Sequence, residues 1–452
     1  MVKTKKLTKR LNKLKTTQII TLGYFGFILA GAILLCFPFA TKEGVWTNPL
    51  DLLFTSTSSV TGSGLVLYDT DNYWSLYGQI IILILIQGGG IGFMTLVSSL
   101  GLFIKRKINL SERKALMQSA GNFQISGIVS LVKKILKITL ITEVTCALLL
   151  MIQFIPDMGV GKGIWASIFT SVAAFCTAGI DVMQGSFTSL TAYAGNWLVS
   201  SVLCIEMFIG AMGFLVIDDL FSSKFKWKKL HLHSKIVIIA SNAIWIVTTL
   251  LLFLIEGDYS SGGLANALFQ SISGSSTGFN SVPINEMQRT SQMVLSFLMF
   301  VGGSPGSTAG GIKTTTFVVL LFSMFNGATK SPNINIGGKT LKKNAVKQAS
   351  AVFFLYIFTV FFGSSIILAC HNDLTIHDVV FEAVSAIDNV GLSLGITQTF
   401  RFGASNMSWL SSIIITLLMF IGRIGPVTTI SLLKSKEDEG ILVAPSEDIL
   451  IG

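Results

Sequence analysis

The chain has 452 residues, of which 51% are hydrophobic and only 12% charged. A soluble domain carries roughly twice that charge fraction, so the composition argues against a soluble enzyme. The net charge of +10 does not make this a nucleic-acid binder, because the basic residues stand in short runs between apolar stretches and read as topology.

The first apolar stretch, 17–40, follows a basic segment from Lys3 to Lys15. It is too long for the core of a signal peptide, and further spans follow it. Mostly apolar stretches of about 20 or more residues can cross a bilayer core as helices. They run at 17–40, 77–104, 129–154, 196–221, 235–255, 292–325, 346–370 and 407–433.

The eight spans pair. Each pair encloses a stretch too short to cross: Asn48 to Gly64, Gly163 to Gly179, Gly263 to Gly278 and Asp378 to Gly391. Each reads as a half-membrane pore helix followed by an extended segment. The expected fold is an all-α integral membrane protein of four tandem helix–pore loop–helix repeats around a pseudo-fourfold pore. Repeat 1 covers 17–104, repeat 2 129–221, repeat 3 235–325 and repeat 4 346–433. A basic segment 1–16, connections 105–128, 222–234 and 326–345, and a tail 434–452 complete the chain.

Lys and Arg gather at Lys3 to Lys15, Lys105 to Lys114, Lys133 to Lys137, Lys224 to Lys235, Lys330 to Lys347, and Lys434 with Lys436. Only Lys42, Lys162, Arg289 and Arg401 fall on the opposite side. The positive-inside rule then places both termini in the cytoplasm of a multi-pass plasma-membrane protein. Cys36, Cys146, Cys176, Cys204 and Cys370 fall in apolar or loop segments without disulfide or metal-ligand spacing, and read as small hydrophobes.

Four short segments end the pore stretches: Thr57-Ser58-Ser59-Val60-Thr61-Gly62-Ser63-Gly64-Leu65, Ala174-Phe175-Cys176-Thr177-Ala178-Gly179-Ile180, Gly274-Ser275-Ser276-Thr277-Gly278-Phe279-Asn280 and Ile387-Asp388-Asn389-Val390-Gly391-Leu392. A cation entering a narrow pore loses its water, and extended main-chain carbonyls replace that shell. Glycine tolerates the dihedrals that aim successive carbonyls at one line. Gly64, Gly179, Gly278 and Gly391 are therefore the candidate filter residues, with Ser63, Ala178, Thr277 and Val390 contributing carbonyls to a potassium path. One such glycine is usually a turn; four in equivalent places reverse that reading.

The second helix of each pair carries another repeat, 24 to 31 residues after the filter glycine: Gly89-Gly90-Ile91-Gly92, Gly210-Ala211-Met212-Gly213, Gly302-Gly303-Ser304-Pro305 and Gly422-Arg423-Ile424-Gly425. For the first, second and fourth, small residues let helices approach closely or bend, and close packing is the plainer reading. The third continues as Gly306, Ser307, Thr308, Ala309, Gly310, Gly311, Ile312 and Lys313, too rich in Gly, Pro, Ser and Thr to stay helical. Irregular backbone at membrane depth must line a cavity or lie buried in protein, and a broken helix below the filter reads as a gate. Arg423, an intramembrane charge, is a gating candidate that neighbouring carbonyls would neutralise. Lys313 either acts with it or reaches cytoplasmic water. For Glu143 and Glu206, also in apolar spans, pairing with a Lys or a backbone group is the plainer expectation.

Other readings fare worse. Gly306 to Gly311 followed by Lys313 and Thr314 approximates a phosphate-binding loop, but the lysine is one position late and the flanks are transmembrane. His371 and His377 are six residues apart with no nucleophile or metal-ligand spacing joined to them. The acids Asp69, Asp71, Asp157, Asp181, Glu256, Asp258, Glu286, Asp373 and Asp378 fall on the outer side, where a ring of like charge would draw cations to the mouth.

Together the four glycine loops, the stretch Gly302 to Thr316, the Gly422-Arg423-Ile424-Gly425-Pro426 signature and the ending Glu447-Asp448-Ile449-Leu450-Ile451-Gly452 resemble the Trk/Ktr/HKT potassium transporters, and by length the bacterial KtrB/KtrD-type subunit. The resemblance covers essentially 17–452. It implies a homodimer with one pore per subunit, a cytoplasmic ring of RCK-type regulatory subunits (KtrA/KtrC-like) that binds ATP or ADP, and stimulation by Na+. It also implies that Gly302 to Thr316 is the gating loop with Arg423 near it, and that Ile449-Leu450-Ile451 is a dimer contact. Filter one has an extra Gly62, Cys176-Thr177 replaces an asparagine pair, and a Thr-Arg pair is absent before Gly278; glycine at 64 goes with potassium-selective members. The chain has no Rossmann pattern, so nucleotide would sit on the partner and no cofactor on this chain. The rival reading is a strictly coupled sodium/potassium or proton/potassium symporter.

Overall fold

The computed structural model describes residues 16–92, 95, 128–183, 189–328, 334–341, 343–371, 373–404 and 408–433. Residues 1–15, nearly all of the 105–128 connection, residues 93–104 of the 77–104 span except Thr95, and the tail with Ile449 to Ile451 lie outside the described residues.

Each repeat begins with a long helix: α1 (Thr16–Leu35), α4 (Ile128–Met158), α8 (Leu232–Glu256) and α12 (Lys343–Cys370). Among the described residues, these contain the four helices that are long and apolar enough by themselves to cross a membrane. Their outward faces carry exposed Leu22 and Ile33, Leu140, Leu148 and Ile152, Leu250 and Leu254, and Phe358, Phe361 and Phe362. An apolar belt of this extent faces lipid rather than water.

A pore helix follows in each repeat: α2 (Pro49–Thr61), α5 (Val160–Phe175), α9 (Ser261–Gly274) and α13 (Ile376–Ile387). Local chemistry starts three of them. Asn48 caps α2 by accepting from the Leu50 amide with Pro49 at the first turn, Ser260 caps α9, and Thr375 with Asp378 forms a capping box on α13. Inside α2, Thr55, Ser59 and Thr61 donate back to the carbonyls of Asp51, Thr55 and Thr57, which satisfies hydroxyls that are fully buried.

The second helix of each pair is interrupted. α3 (Leu76–Gly90) stops at its glycines, α6 (Trp197–Met212) and α7 (Phe214–Ser222) meet at a 94° bend, α10 (Arg289–Val301) and α11 (Thr314–Ala328) flank a loop, and α14 (Ser408–Ile424) gives way to α15 (Pro426–Leu433). The continuous spans expected over 196–221 and 407–433 are therefore corrected. Gly213 and Gly425, like Gly92, sit at φ +92, +92 and +93, outside the helical region and strained for any residue with a Cβ. Only the third break was legible as a broken helix, because only there do many helix-breaking residues stand in a row. A short antiparallel hairpin, β1 (Asn335–Ile336) with β2 (Lys339–Thr340), lies in the connection between repeats 3 and 4.

The ring closes through one rule. Each pore helix packs on the second helix of the preceding repeat: α3 on α5, α6 on α9, α10 on α13, and α14 on α2. The last of these joins repeat 4 to repeat 1.

Candidate ion pathway

The four filter glycines lie side by side. A Cβ built on Gly64 would come 2.6 Å from the Ala178 carbonyl oxygen. The same addition would drive Gly179 into the carbonyl of Thr277, Gly278 into that of Val390, and Gly391 into that of Ser63. Each glycine thus abuts the carbonyl of the residue preceding the glycine of the next repeat, and the fourth returns to the first. All four have positive φ, +81, +60, +85 and +97.

Pore-helix ends hold the flanking amides. Ser63, Ala178 and Val390 donate to the carbonyls of Ser58, Ala173 and Ser385, five residues back, and Thr277 and Gly278 both donate to Ser273. With the N–H groups turned toward the pore helices, the carbonyls of Ser63, Ala178, Thr277 and Val390 lie against the glycines of the neighbouring repeats. Gly62 differs from Gly64: it is the left-handed cap of α2, and a Cβ there would sit 3.4 Å from the carbonyls of Cys176 and Thr177. Gly64 is the residue equivalent to the other three.

Outside the ring lies a cavity of about 370 Å³, lined by the four glycines together with Asp69 and Asp181. Of the acids expected at the mouth, these two line it. Asp157 accepts from Gln153, Glu256 from the Gln288 amide, and Asp378 caps α13. Burial, reinforced by Asp69 and Asp71 and opposed by the Met183 amide and Ser189, raises the Asp181 carboxyl to about 6.

On the other side a cavity of about 350 Å³ is lined by Gly306 to Lys313 except Thr308, Gly90 to Gly92, Tyr356 and Gly422 to Thr428. The 302–313 loop lines this cavity and touches pore-helix ends at Phe175 and Asp388. It is anchored to the break in the second repeat: Ser304 donates from Oγ (2.7 Å) and N (3.2 Å) to the Ala211 carbonyl, Phe214 N donates to Gly306 O (3.0 Å), and Thr308 Oγ1 lies 3.1 Å from Gly210 O and 3.2 Å from Phe175 O. Two broken helices satisfy each other's backbone groups, which is the condition for irregular chain at membrane depth. Gly302 and Gly311 face each other so closely that a Cβ on either would strike the other's backbone. Gly303 N donates to Gly310 O, closing the loop on itself.

Arg423 reaches across this arrangement. Its Nη1 donates to Thr308 O (2.5 Å), and its Nη2 to the carbonyls of Gly89 and Gly90. Lys313 donates from Nζ to Ala309 O (2.5 Å) and Gly310 O (3.1 Å) and lines the inner cavity. The first glycines of the other signatures are packing residues: a Cβ on Gly89, Gly210 or Gly422 would enter the carbonyl of Val60, Phe175 or Ile387 at a pore-helix end. Among the described residues Glu143 and Glu206 do not meet the expected lysine or backbone group; they accept instead from Gln87 Nε2 (3.2 Å) and Ser171 Oγ (2.6 Å). His371 bonds Ser411 and His377 bonds Gln292, so the two histidines serve separate contacts.

This geometry meets a family match. A model described as a cation transport protein, TrkH, matches residues 31–440. The chain belongs to the TrkH cation transport family. It is 33% identical to the potassium/sodium uptake protein NtpJ of Enterococcus hirae, covering 99% of both chains. It is 31% identical to the Ktr system potassium uptake protein B of Bacillus subtilis, covering 94% of both. The crystal structure of the potassium transporter TrkH from Vibrio parahaemolyticus shares the fold, with a TM-score of 0.73 at 20% identity over 94% of this chain and 86% of that one. As a TrkH-family member the chain is a multi-pass membrane cation transporter, not an enzyme.

Within this TrkH-family protein, two residues beside the filter escaped the sequence reading. Asn389, at φ +51, bonds across repeats with its amide turned: it donates to Thr61 Oγ1 (3.0 Å) and Met419 O (3.1 Å) and accepts from Arg423 N (3.1 Å). Asp388 is fully buried against the 302–313 loop. The signal for both was available by aligning the four filters on their glycines. Asp388 then stands where the others have Thr61, Cys176 and Ser275.

Proposed function

We propose that this chain takes up potassium across the bacterial plasma membrane through a channel-like pore, selected by the carbonyls around Gly64, Gly179, Gly278 and Gly391 and gated by Gly302 to Gly311 with Lys313 and Arg423. The observation that carries the reading is the closed ring of four glycines, each against the carbonyl preceding the next. Such a ring offers a dehydrated monovalent cation several oxygens at similar distance. Two relatives, named a potassium/sodium uptake protein and a potassium uptake protein of a Ktr system, support potassium as the ion.

In this reading both termini and the loop's inner cavity face the cytoplasm, in accord with the positions of the basic segments. There, on the same reading, a homodimer would meet a ring of RCK-type subunits holding ATP or ADP, with Na+ as activator; the name of one relative, a Ktr system protein B, supports a partner subunit. The membrane potential supplies roughly 2.3 kcal/mol per charge per 100 mV for entry. The deciding experiment is potassium uptake by cells lacking their own systems, with the chain alone, with an RCK subunit, and with or without external Na+. Restored uptake that follows the membrane potential supports the pore; uptake with a fixed coupling-ion ratio supports the symporter.

A further inference from the structure

We propose that Asp388 is the counter-charge of the 302–313 loop, the group that receives the Lys313 ammonium when the loop leaves its present position. The inference rests on the gating role given to that loop above.

Asp388 ends the fourth pore helix and is fully buried. Neither carboxylate oxygen has a hydrogen-bond partner, and the equivalent residues of the other repeats are neutral. The loop lies directly on it: a Cβ on Gly310 would collide with the Asp388 carbonyl. Lys313 lies within electrostatic reach of Asp388 from the loop, and Tyr356 from the long helix of repeat 4. Arg423, a like charge, faces Lys313 from the fourth repeat's second helix.

Lys313 therefore has two sets of acceptors. At present its ammonium is held by the loop's own Ala309 and Gly310 carbonyls, while its backbone sits at φ +82, a strained conformation for a residue with a side chain. Tyr356 helps to hold this arrangement by donating to Gly311 O (3.3 Å). A carboxyl buried without a hydrogen bond keeps its proton; as the Lys313 ammonium arrives, Asp388 would release that proton to the water of the inner cavity that Lys313 lines and become a carboxylate, the stronger acceptor for an ammonium. Moving Lys313 from the two carbonyls to Asp388 would free the loop's turn and give the buried carboxyl a partner in one step. The loop then has two discrete arrangements separated by one ion pair, the form a two-state gate requires.

Initial rates of rubidium uptake by the full chain with its RCK subunit test this, using Asp388→Asn, Lys313→Gln and the double variant, with membrane content measured for each. Asp388→Asn is expected to lower the rate about tenfold without changing the ratio of potassium to sodium uptake. In the Lys313→Gln background the same change is expected to alter the rate less than about twofold. Equal losses in both backgrounds, or a changed ion ratio, would overturn the proposal and make Asp388 a filter-positioning residue. Should Asp388→Asn not reach the membrane, Asp388→Gly is read by the same criteria, since its helical backbone accepts glycine. Deleting Gly306 to Gly310 separates the two readings. Unchanged uptake sinks the gate itself; raised uptake that Asp388→Asn still lowers tenfold sinks the Asp388 proposal alone.

Discussion

Arg423 and Thr308 are joined by a guanidinium–carbonyl hydrogen bond of 2.5 Å that ties the fourth repeat to the loop of the third. The same guanidinium also holds the glycines ending α3, so one side chain spans three repeats just below the filter. Hydrogen bonds to charged groups contribute about 1.5–3 kcal/mol each. Arg423→Gln is therefore expected to raise basal uptake by about tenfold or more and to reduce its dependence on the regulatory subunit. Rates measured with and without that subunit check this; a variant with normal membrane content and lower uptake in both conditions would contradict the tether.

Gly64 and Gly62 separate by their neighbours. A side chain at 64 enters the ring of carbonyls, whereas one at 62 meets the next filter at ordinary contact distance. Gly64→Ser should weaken the preference for potassium over sodium, and Gly62→Ser should change it much less. Competition of sodium with rubidium uptake is the readout, and equal effects would undo the assignment.

Gly213 is where the second repeat bends to receive the loop. It has φ +92, and a Cβ would lie 2.8 Å from Pro305 O and 3.0 Å from Ser304 Oγ. Alanine there should cost of order 1–3 kcal/mol, lower the thermal stability of the purified protein and raise basal uptake by displacing the loop. Gly26→Ala, with nothing within 4 Å of the added carbon, is the matched control and should leave both unchanged.

Asp181 gives the outer mouth a pH dependence. Its carboxyl is raised to about 6, chiefly by burial, so it is charged above that pH and becomes neutral as external pH falls through it. Loss of the charge lowers the local cation concentration. Uptake at subsaturating potassium should therefore fall between pH 7 and pH 5.5. Asp181→Asn should start lower and show a flatter profile over that range; an unchanged profile would remove Asp181 from the mouth.

Apolar span and glycine carry their meaning locally, and so the membrane class, the fourfold repeat and the four glycines that meet in a ring were legible in the linear chain. A stretch of 20 apolar residues has one favourable place, and four pore helices with polar caps and glycine ends announce themselves by spacing. The loop at Gly302 was legible for the same reason, because breakers in series cannot be helical. What the chain order could not contain was which carbonyl each group would meet. Gly210 and Gly213 are three residues apart and look alike, yet one packs on a pore-helix end and the other breaks the helix so that the next residue, Phe214, bonds Gly306 about 90 residues away. Glu143 and Glu206 looked as if they needed a lysine or a backbone partner, and folding supplied an amide and a hydroxyl instead. Asp388 looked like one more polar filter residue until packing sealed it against Gly310. These outcomes depend on contacts between repeats, and a contact between repeats exists only once the ring has closed.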